Sequence, residues 1–154
     1  MLRTYFGLTL FSIMVVACAG VCTDDDVYII RHGFSGLVLD ARNSRKIQVQ
    51  HFNGYSTQLW KFERGLKIGL FYIISNYTGN VLGYRSHDRS LLLAEKEDSL
   101  DQQWRVTWND RIFNEGKKNY TIDVTDANYT AGNYVQVWPN NLTPAQEFTF
   151  EKKI

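Results

Sequence analysis

The segment Val135-Gln136-Val137-Trp138 carries the side chains of this chain best suited to holding a ligand. Its apolar residues alternate with period two, as in a strand with one buried face. If Val135 and Val137 face the core, Gln136 and Trp138 face the other side, and an exposed Trp often marks a binding surface. An indole offers an apolar face and an amide offers hydrogen bonds, so this pair could bind a ligand but could not react with it.

No catalytic constellation accompanies this segment. The sequence has no nucleophile elbow, no paired catalytic carboxylates and no Cys/His dyad. His32, His51 and His87 stand singly, without the spacing of metal ligands, and are expected at the surface. Residues 24–26, three consecutive Asp, are expected to be a solvated tail. We therefore expect a binding protein and not an enzyme, with no metal and no cofactor.

A repeat of 44 residues positions the segment within the chain. Three Gln-x-aromatic motifs follow this step, namely Gln58-Leu59-Trp60, Gln102-Gln103-Trp104 and Gln146-Glu147-Phe148. Three apolar columns keep it too, namely Phe62, Val106 and Phe150, then Ile47, Leu91 and Val135, then Val49, Leu93 and Val137. Periods of about 20–50 residues mark folds built by stacking copies of one unit.

Each unit contains about four short strands separated by Gly, Asn, Ser and Asp turns. Four strands repeated three times predict an all-β fold, a pseudo-threefold β-trefoil of twelve strands with almost no helix. A propeller would need more copies, and a solenoid would need atypical capping units. The units are expected at about 27–64, 71–107 and 111–152. Their closing aromatic rings should lie in the core, and the paired Gln side chains should hydrogen-bond backbone groups.

The first residues have the pattern of a targeting segment. Arg3 is followed by an apolar run from Leu8 to Val16 and by Ala17-Cys18-Ala19, an A-x-A arrangement. This predicts a signal peptide at 1–19, a single mature domain at 20–154 and a secreted, extracellular protein. A bacterial lipoprotein box ending at Cys18 is the alternative. After cleavage Cys22 is the remaining cysteine, so no internal disulfide can form.

Four N-x-Thr sequons fit a eukaryotic secreted glycoprotein, although Asn and Thr are also common in turns. The predicted glycosylation positions are Asn76, Asn119, Asn128 and Asn141. Charge gives no sign of a polyanionic partner, because the chain has 17 basic and 16 acidic residues and loses Arg3 on cleavage. This balance argues against nucleic acid and anionic membranes, and the apolar run is too short to insert across a bilayer.

The repeats resemble those of the ricin-type β-trefoil lectins, the Gln-x-Trp family. Gly36-Leu37-Val38-Leu39-Asp40 and Gly79-Asn80-Val81-Leu82-Gly83 are similar to the family's opening SGKCLDV segment, and the Gln-x-Trp motifs match its closing one. The resemblance covers almost all of 20–154 and implies the β-trefoil fold. It also implies that a unit can carry one sugar pocket. There an Asp accepts hydrogen bonds from hydroxyls, a ring stacks on the pyranose, and a Gln and an Asn fix the sugar.

Repeat three matches this pattern best. Asp123 precedes Gln136 by 13 residues and Trp138 follows two later, while Asn133 to Pro139 is similar to the family's NAIQLWP segment. Ala145 stands where the family has the Asn beside its closing Gln, so one polar contact is missing. The resemblance implies one weak galactose- or N-acetylgalactosamine-type site, formed by Asp123, Gln136, Trp138 and Gln146, with Asn141 as a further substitute for the missing contact.

The other repeats depart further from the pattern. Repeat one keeps Asp40 and Gln48 as weaker candidates, but Gln50 occupies the position of the ring, so Phe52 or Tyr55 would have to stack instead. Repeat two has none of the three, and their positions hold Gly83, Leu92 and Ala94. Its expected role is to complete the barrel.

Two functions fit these observations. The first is a lectin that acts on glycans or glycoproteins through repeat three, which Asp123, Gln136 and Trp138 favour. The second is a trefoil that has lost sugar binding and acts through its loops on a protein, as an inhibitor or a toxin-like or venom-like accessory. The missing Asn at Ala145 and the loss of the site in repeat two favour the second. So do the sequons expected near the pocket, which could carry glycans that cover it.

Overall fold

The computed structural model describes residues 26–154, which form an all-β trefoil of twelve strands, as the 44-residue repeat predicts. The predicted signal peptide and Cys22 lie outside the described residues. Within 26–154, no helix has the length and apolar character needed to cross a membrane.

The strands fall into three groups of four. The first group is β1 (Tyr28–His32), β2 (Val38–Asp40), β3 (Gln48–Gln50) and β4 (Trp60–Arg64). The second is β5 (Phe71–Ser75), β6 (Val81–Tyr84), β7 (Leu91–Ala94) and β8 (Trp104–Val106). The third is β9 (Ile112–Asn114), β10 (Tyr120–Val124), β11 (Val135–Pro139) and β12 (Phe148–Lys152). One 3₁₀ turn precedes the last strand of each group, at Ser56–Gln58, Leu100–Gln102 and Pro144–Gln146, and a further one, Thr125–Ala127, follows β10.

All strand pairs are antiparallel. Strands β1, β4, β5, β8, β9 and β12 form the barrel wall, in which β1 pairs with β12 from Tyr28–Lys152 to His32–Phe148. The hairpins β2–β3, β6–β7 and β10–β11 form the cap. The third hairpin has the longest loop, residues 125–134, against 41–47 and 85–90 in the other two. This extra length lies beside the candidate site described below.

The closing aromatic rings are the centre of the core, as the repeat predicts. Trp60, Trp104 and Phe148 are fully buried at the starts of β4, β8 and β12. The two indoles satisfy their N–H groups inside the barrel, because Trp60 Nε1 donates to Leu39 O (3.2 Å) and Trp104 Nε1 donates to Leu82 O (2.9 Å). Buried Trp residues need such partners. The repeat therefore encodes both the packing and the polar satisfaction of the core.

The paired Gln side chains clamp the loop before each closing strand, and this confirms that they hydrogen-bond backbone groups. Each amide accepts a bond from an N–H five residues earlier and donates one to a carbonyl seven residues earlier. The pairs are Gln58 with Asn53 and His51, Gln102 with Glu97 and Glu95, and Gln146 with Asn141 and Pro139. The three side chains are buried. They therefore fix three equivalent loops in one geometry.

His32 is buried, so its expected surface position was wrong. It ends β1 two residues after the buried Ile30, and the period of the strand turns both side chains inward. His32 Nδ1 lies 2.8 Å from Ser35 Oγ and its Nε2 lies 2.8 Å from Pro144 O. Burial lowers the pKa of the imidazole below its ordinary value. His51 and His87 are exposed, as predicted.

Candidate functional site

The β10–β11 hairpin brings three predicted site residues together. Asp123 pairs with Gln136 in the register of the two strands, and Trp138 follows two positions along β11. Gln136 Nε2 donates to Asp123 Oδ1 over 3.1 Å. Val135 and Val137 are fully buried, whereas Gln136 is half-buried and Trp138 is 37% exposed. The alternation predicted from the sequence therefore places an amide and an exposed indole on one face of the hairpin, with the carboxylate beside the amide.

Asp123 is a recessed carboxylate without a cation. The residue is 4% exposed, and burial raises the pKa of its carboxyl group above the ordinary value. Hydrogen bonds from Gln136 and Gln146 act against this rise, and the negative charge of Asp126 adds to it. Within residues 26–154, no Lys, Arg or His forms an ion pair with this carboxylate. It is therefore an acceptor that an uncharged hydroxyl could use.

Gln146 lies behind this carboxylate. The side chain is fully buried, and its amide already accepts from Asn141 N (3.0 Å) and donates to Pro139 O (2.9 Å). This predicted sugar contact therefore supports Asp123 from the interior and does not face solvent. Ala145, the departure from the family pattern, is buried as well.

Tyr129 forms a border of the site that the sequence did not indicate. It belongs to the long 125–134 loop, and its ring stacks on His32 (5.0 Å between centroids) and tilts against Phe34 (4.9 Å). Burial raises the pKa of the Tyr129 hydroxyl, and the nearby charge of Asp123 adds to the rise. The one sequence signal for this loop is the greater Asp-to-Gln spacing in repeat three, 13 residues against 8 in repeat one.

The weaker candidates of repeat one form a different structure. Asp40 is fully buried, and its Oδ2 accepts bonds from Arg42 Nη2 (2.7 Å), Arg42 Nε (3.1 Å) and Gln58 Nε2 (2.9 Å). Burial opposes ionisation, but these bonds prevail and lower the pKa of the carboxyl group. The Gln48 amide oxygen accepts from Gln50 instead, over 3.3 Å. The chain itself therefore occupies the carboxylate that a sugar would need.

Repeat two supplies no acceptor at the equivalent place, because Gly83 pairs with Leu92 there. Among the described residues, no group of three or more His, Cys, Asp or Glu side chains could hold a metal ion.

The predicted glycosylation positions are all exposed: Asn76, Asn119, Asn128 and Asn141. Asn128 lies in the 125–134 loop beside the site. Its Oδ1 accepts from Thr130 Oγ1 (2.7 Å), as Asn141 Oδ1 accepts from Thr143 Oγ1 (2.8 Å). The positions of Asn128 and Asn141 place both sequons on segments that contact the site.

Comparisons with known proteins extend the result on the fold. No protein-family model matches this sequence, and no curated protein matches it. Solved structures do match. The ricin B-like lectin of Macrolepiota procera, solved in complex with lactose, is 22% identical with a TM-score of 0.72, covering 86% of this chain and 99% of that one.

Two further structures give the same result. The C-terminal half of an earthworm R-type lectin, solved with GalNAc, is 18% identical with a TM-score of 0.67, covering 83% of this chain and 99% of that one. ThreeFoil, a designed threefold-symmetric protein, is 18% identical with a TM-score of 0.73, covering 80% of this chain and 96% of that one. The chain therefore has the β-trefoil fold seen in ricin B-like lectins.

Proposed function

We propose that this protein is a secreted lectin with one galactose- or N-acetylgalactosamine-type site on the outer face of the β10–β11 hairpin. The observation that carries the proposal is the contrast between two equivalent carboxylates. Within residues 26–154 Asp123 has no cation partner, and it lies beside Gln136 and near the exposed Trp138, whereas Asp40 forms an ion pair with Arg42. The sugars held by two lectins of this fold support the same ligand class.

The chemistry of a pyranose suits this arrangement. A galactose-type ring has an apolar C–H face and a polar edge, so one face can stack on Trp138 while the hydroxyls donate to Asp123. Gln136 holds the carboxylate in place and presents its amide oxygen as a second acceptor. The site offers few polar contacts to a sugar, because Ala145 has no polar side chain and the Gln146 amide is already hydrogen-bonded to backbone groups. We expect a total binding free energy of about 4–6 kcal/mol, which corresponds to a dissociation constant in the millimolar to high-micromolar range.

Secretion and glycosylation belong to the same proposal. The pattern of residues 1–19 supports export, and the four exposed sequons support glycosylation on the secretory route. A glycan on Asn128 would stand over the site and reduce its affinity. We propose no enzymatic activity, since the site offers an acceptor and a stacking surface but no nucleophile.

The first prediction is that Trp138→Ala weakens sugar binding about five- to tenfold, because a stacked aromatic ring contributes on the order of 1 kcal/mol or more. The measurement is an NMR titration of the enzymatically deglycosylated protein with lactose and N-acetylgalactosamine, following backbone amides of β10 and β11. In the wild type, the Trp138 indole N–H should also shift on binding.

Trp108→Ala is the matched control, because Trp108 is 85% exposed in the turn between β8 and β9 and should leave affinity unchanged. Unchanged affinity in Trp138→Ala would place the sugar elsewhere. If no sugar binds even without the glycans, the protein-binding alternative becomes the better account.

The second prediction concerns pH. The ionised Asp123 accepts hydrogen bonds from sugar hydroxyls through two oxygens, and protonation removes much of this capacity. Because burial raises the pKa of this carboxyl group, affinity should fall on acidification at a less acidic pH than for an ordinary aspartate, and should be constant above it. Dissociation constants measured by calorimetry across this range check the prediction, with Asp123→Asn as the variant that lacks the transition. A constant affinity down to the ordinary aspartate range would contradict it.

A further inference from the structure

Cationic side chains are concentrated on two cap loops that contact β11, although the chain as a whole is nearly neutral. Besides Arg42, which pairs with Asp40, the loops at 41–47 and 85–90 contain Arg45, Lys46, Arg85 and Arg89, and Asp88 is the one acid in either loop. Asp88 pairs with Arg85 over 3.7 Å. Arg45, Lys46 and Arg89 have no carboxylate partner within residues 26–154. We call Arg45, Lys46, Arg85 and Arg89 the basic cluster.

Backbone contacts hold the basic cluster against the site. Arg85 Nη2 donates to Arg45 O over 3.1 Å, which joins the two loops. Val137 N donates to Arg89 O over 2.9 Å, and Ser90 bridges to Gln136, which together fix the second loop on β11. The position of the cluster therefore depends on the cap of the trefoil and not on flexible side chains alone.

Two cations of the cluster lie over exposed rings of β11 and its preceding loop. The Arg89 guanidinium is 4.7 Å from the Trp138 ring centroid, and the Lys46 ammonium is 4.0 Å from the Tyr134 ring centroid. Arg89 adopts a φ of +63°, a left-handed conformation that disfavours a side chain such as Arg, and its N–H donates to Arg85 O over 2.7 Å. The turn thus accepts backbone strain while presenting a guanidinium at the indole.

The order of the strands determines which groups lie on each side of β11. On one edge β11 pairs with β10, which carries Asp123, and on its other edge it meets Arg89 and Ser90. Trp138 therefore lies on a strand that has Asp123 on one side and Arg89 on the other, and the Arg89 guanidinium lies over one face of the indole. A pyranose with hydroxyls on Asp123 that contacts the other face or the edge of the indole would have its remaining substituents close to Arg89.

We propose that the site prefers a galactose-type sugar that carries an anionic substituent, a sulfate ester or a carboxylate, bound by Arg89. This rests on the proposed function. A guanidinium forms paired, charge-assisted hydrogen bonds with sulfate and carboxylate oxygens, whereas an uncharged sugar leaves this capacity unused. Arg45 and Arg85 outnumber Asp88 in the two loops, which favours an anion on the Arg89 side of Trp138, whereas Asp123 and Asp126 favour uncharged hydroxyls on the β10 side.

The test compares four probes by NMR titration at low ionic strength: N-acetylgalactosamine, its O-sulfated form, lactose and sialyllactose. We expect the sulfated or the sialylated sugar to bind about tenfold more tightly than its neutral parent, with the difference shrinking as salt is added. The two pairs distinguish a sulfate from a carboxylate. In Arg89→Gln the ratio of anionic to neutral dissociation constants should fall to about one. In the control Lys67→Gln, an exposed charge in the β4–β5 turn, it should stay as in the wild type.

The alternative outcomes separate the two proposals. Neutral sugars that bind as tightly as the anionic ones would overturn the anionic preference and leave the lectin function intact. If none of the four probes binds, the lectin function fails and the anionic preference fails with it. If heparin or RNA fragments bind the cluster and Asp123→Asn leaves that binding and the sulfated-sugar affinity unchanged, the cluster is a separate polyanion surface and the extended site is wrong.

Discussion

Replacing Trp104 with Ala should lower the free energy of unfolding by about 3–5 kcal/mol, as for other large buried aromatic side chains. The ring is fully buried at the start of β8, and its Nε1 donates to Leu82 O over 2.9 Å. The substitution would leave both a cavity and an unpaired carbonyl in the cap. Urea unfolding followed by circular dichroism measures the change.

Trp108→Ala is again the matched control, because it removes the same side chain from an exposed turn and should change stability by less than about 0.5 kcal/mol. Equal midpoints for the two variants would show that the closing rings of the repeat do not stabilise the barrel.

The Gln58→Leu substitution should lower the free energy of unfolding by about 2–4 kcal/mol. Its amide donates to Asp40 Oδ2 (2.9 Å) and His51 O (2.9 Å) and accepts from Asn53 N (2.8 Å), and Leu satisfies none of these groups. Gln50→Leu is the control, since the Gln50 side chain is half-buried and has one long bond to Gln48, at 3.3 Å. A loss of unfolding free energy no larger than that of the control would mean that the hydrogen bonds of these buried Gln side chains contribute little to stability.

The fold could be predicted from the sequence because its signal is periodic. Trp60, Trp104 and Phe148 recur every 44 residues, and so do the Gln residues two positions before them. Few folds are compatible with one unit repeated three times at this spacing. The face of β11 was equally predictable, since Val135 and Val137 alternate with Gln136 and Trp138. On β11 a local period of two determines which side of the strand is buried, and for the fold the 44-residue period determines that one unit is repeated three times.

The details of the site depended on contacts that no local period reveals. The sequence shows an available acid at Asp40, but in the structure the Arg42 side chain folds back and donates hydrogen bonds to its carboxylate. Arg89 reaches Trp138 from another repeat, so its contact follows from how the hairpins meet around the pseudo-threefold axis. His32 was misplaced because a histidine that stands singly, without metal-ligand spacing, was expected at the surface, whereas β1 continues to His32 and turns it inward.

The central claim is that the site lies at Asp123 and not at its equivalent, Asp40. One measurement compares the N-acetylgalactosamine affinities of Asp123→Asn and Asp40→Asn by calorimetry, after circular dichroism has confirmed that both variants are folded. Loss of a charged acceptor should weaken binding about tenfold or more in Asp123→Asn, while Asp40→Asn should bind like the wild type. Wild-type affinity in Asp123→Asn together with lost binding in Asp40→Asn would contradict this account and place the site in repeat one.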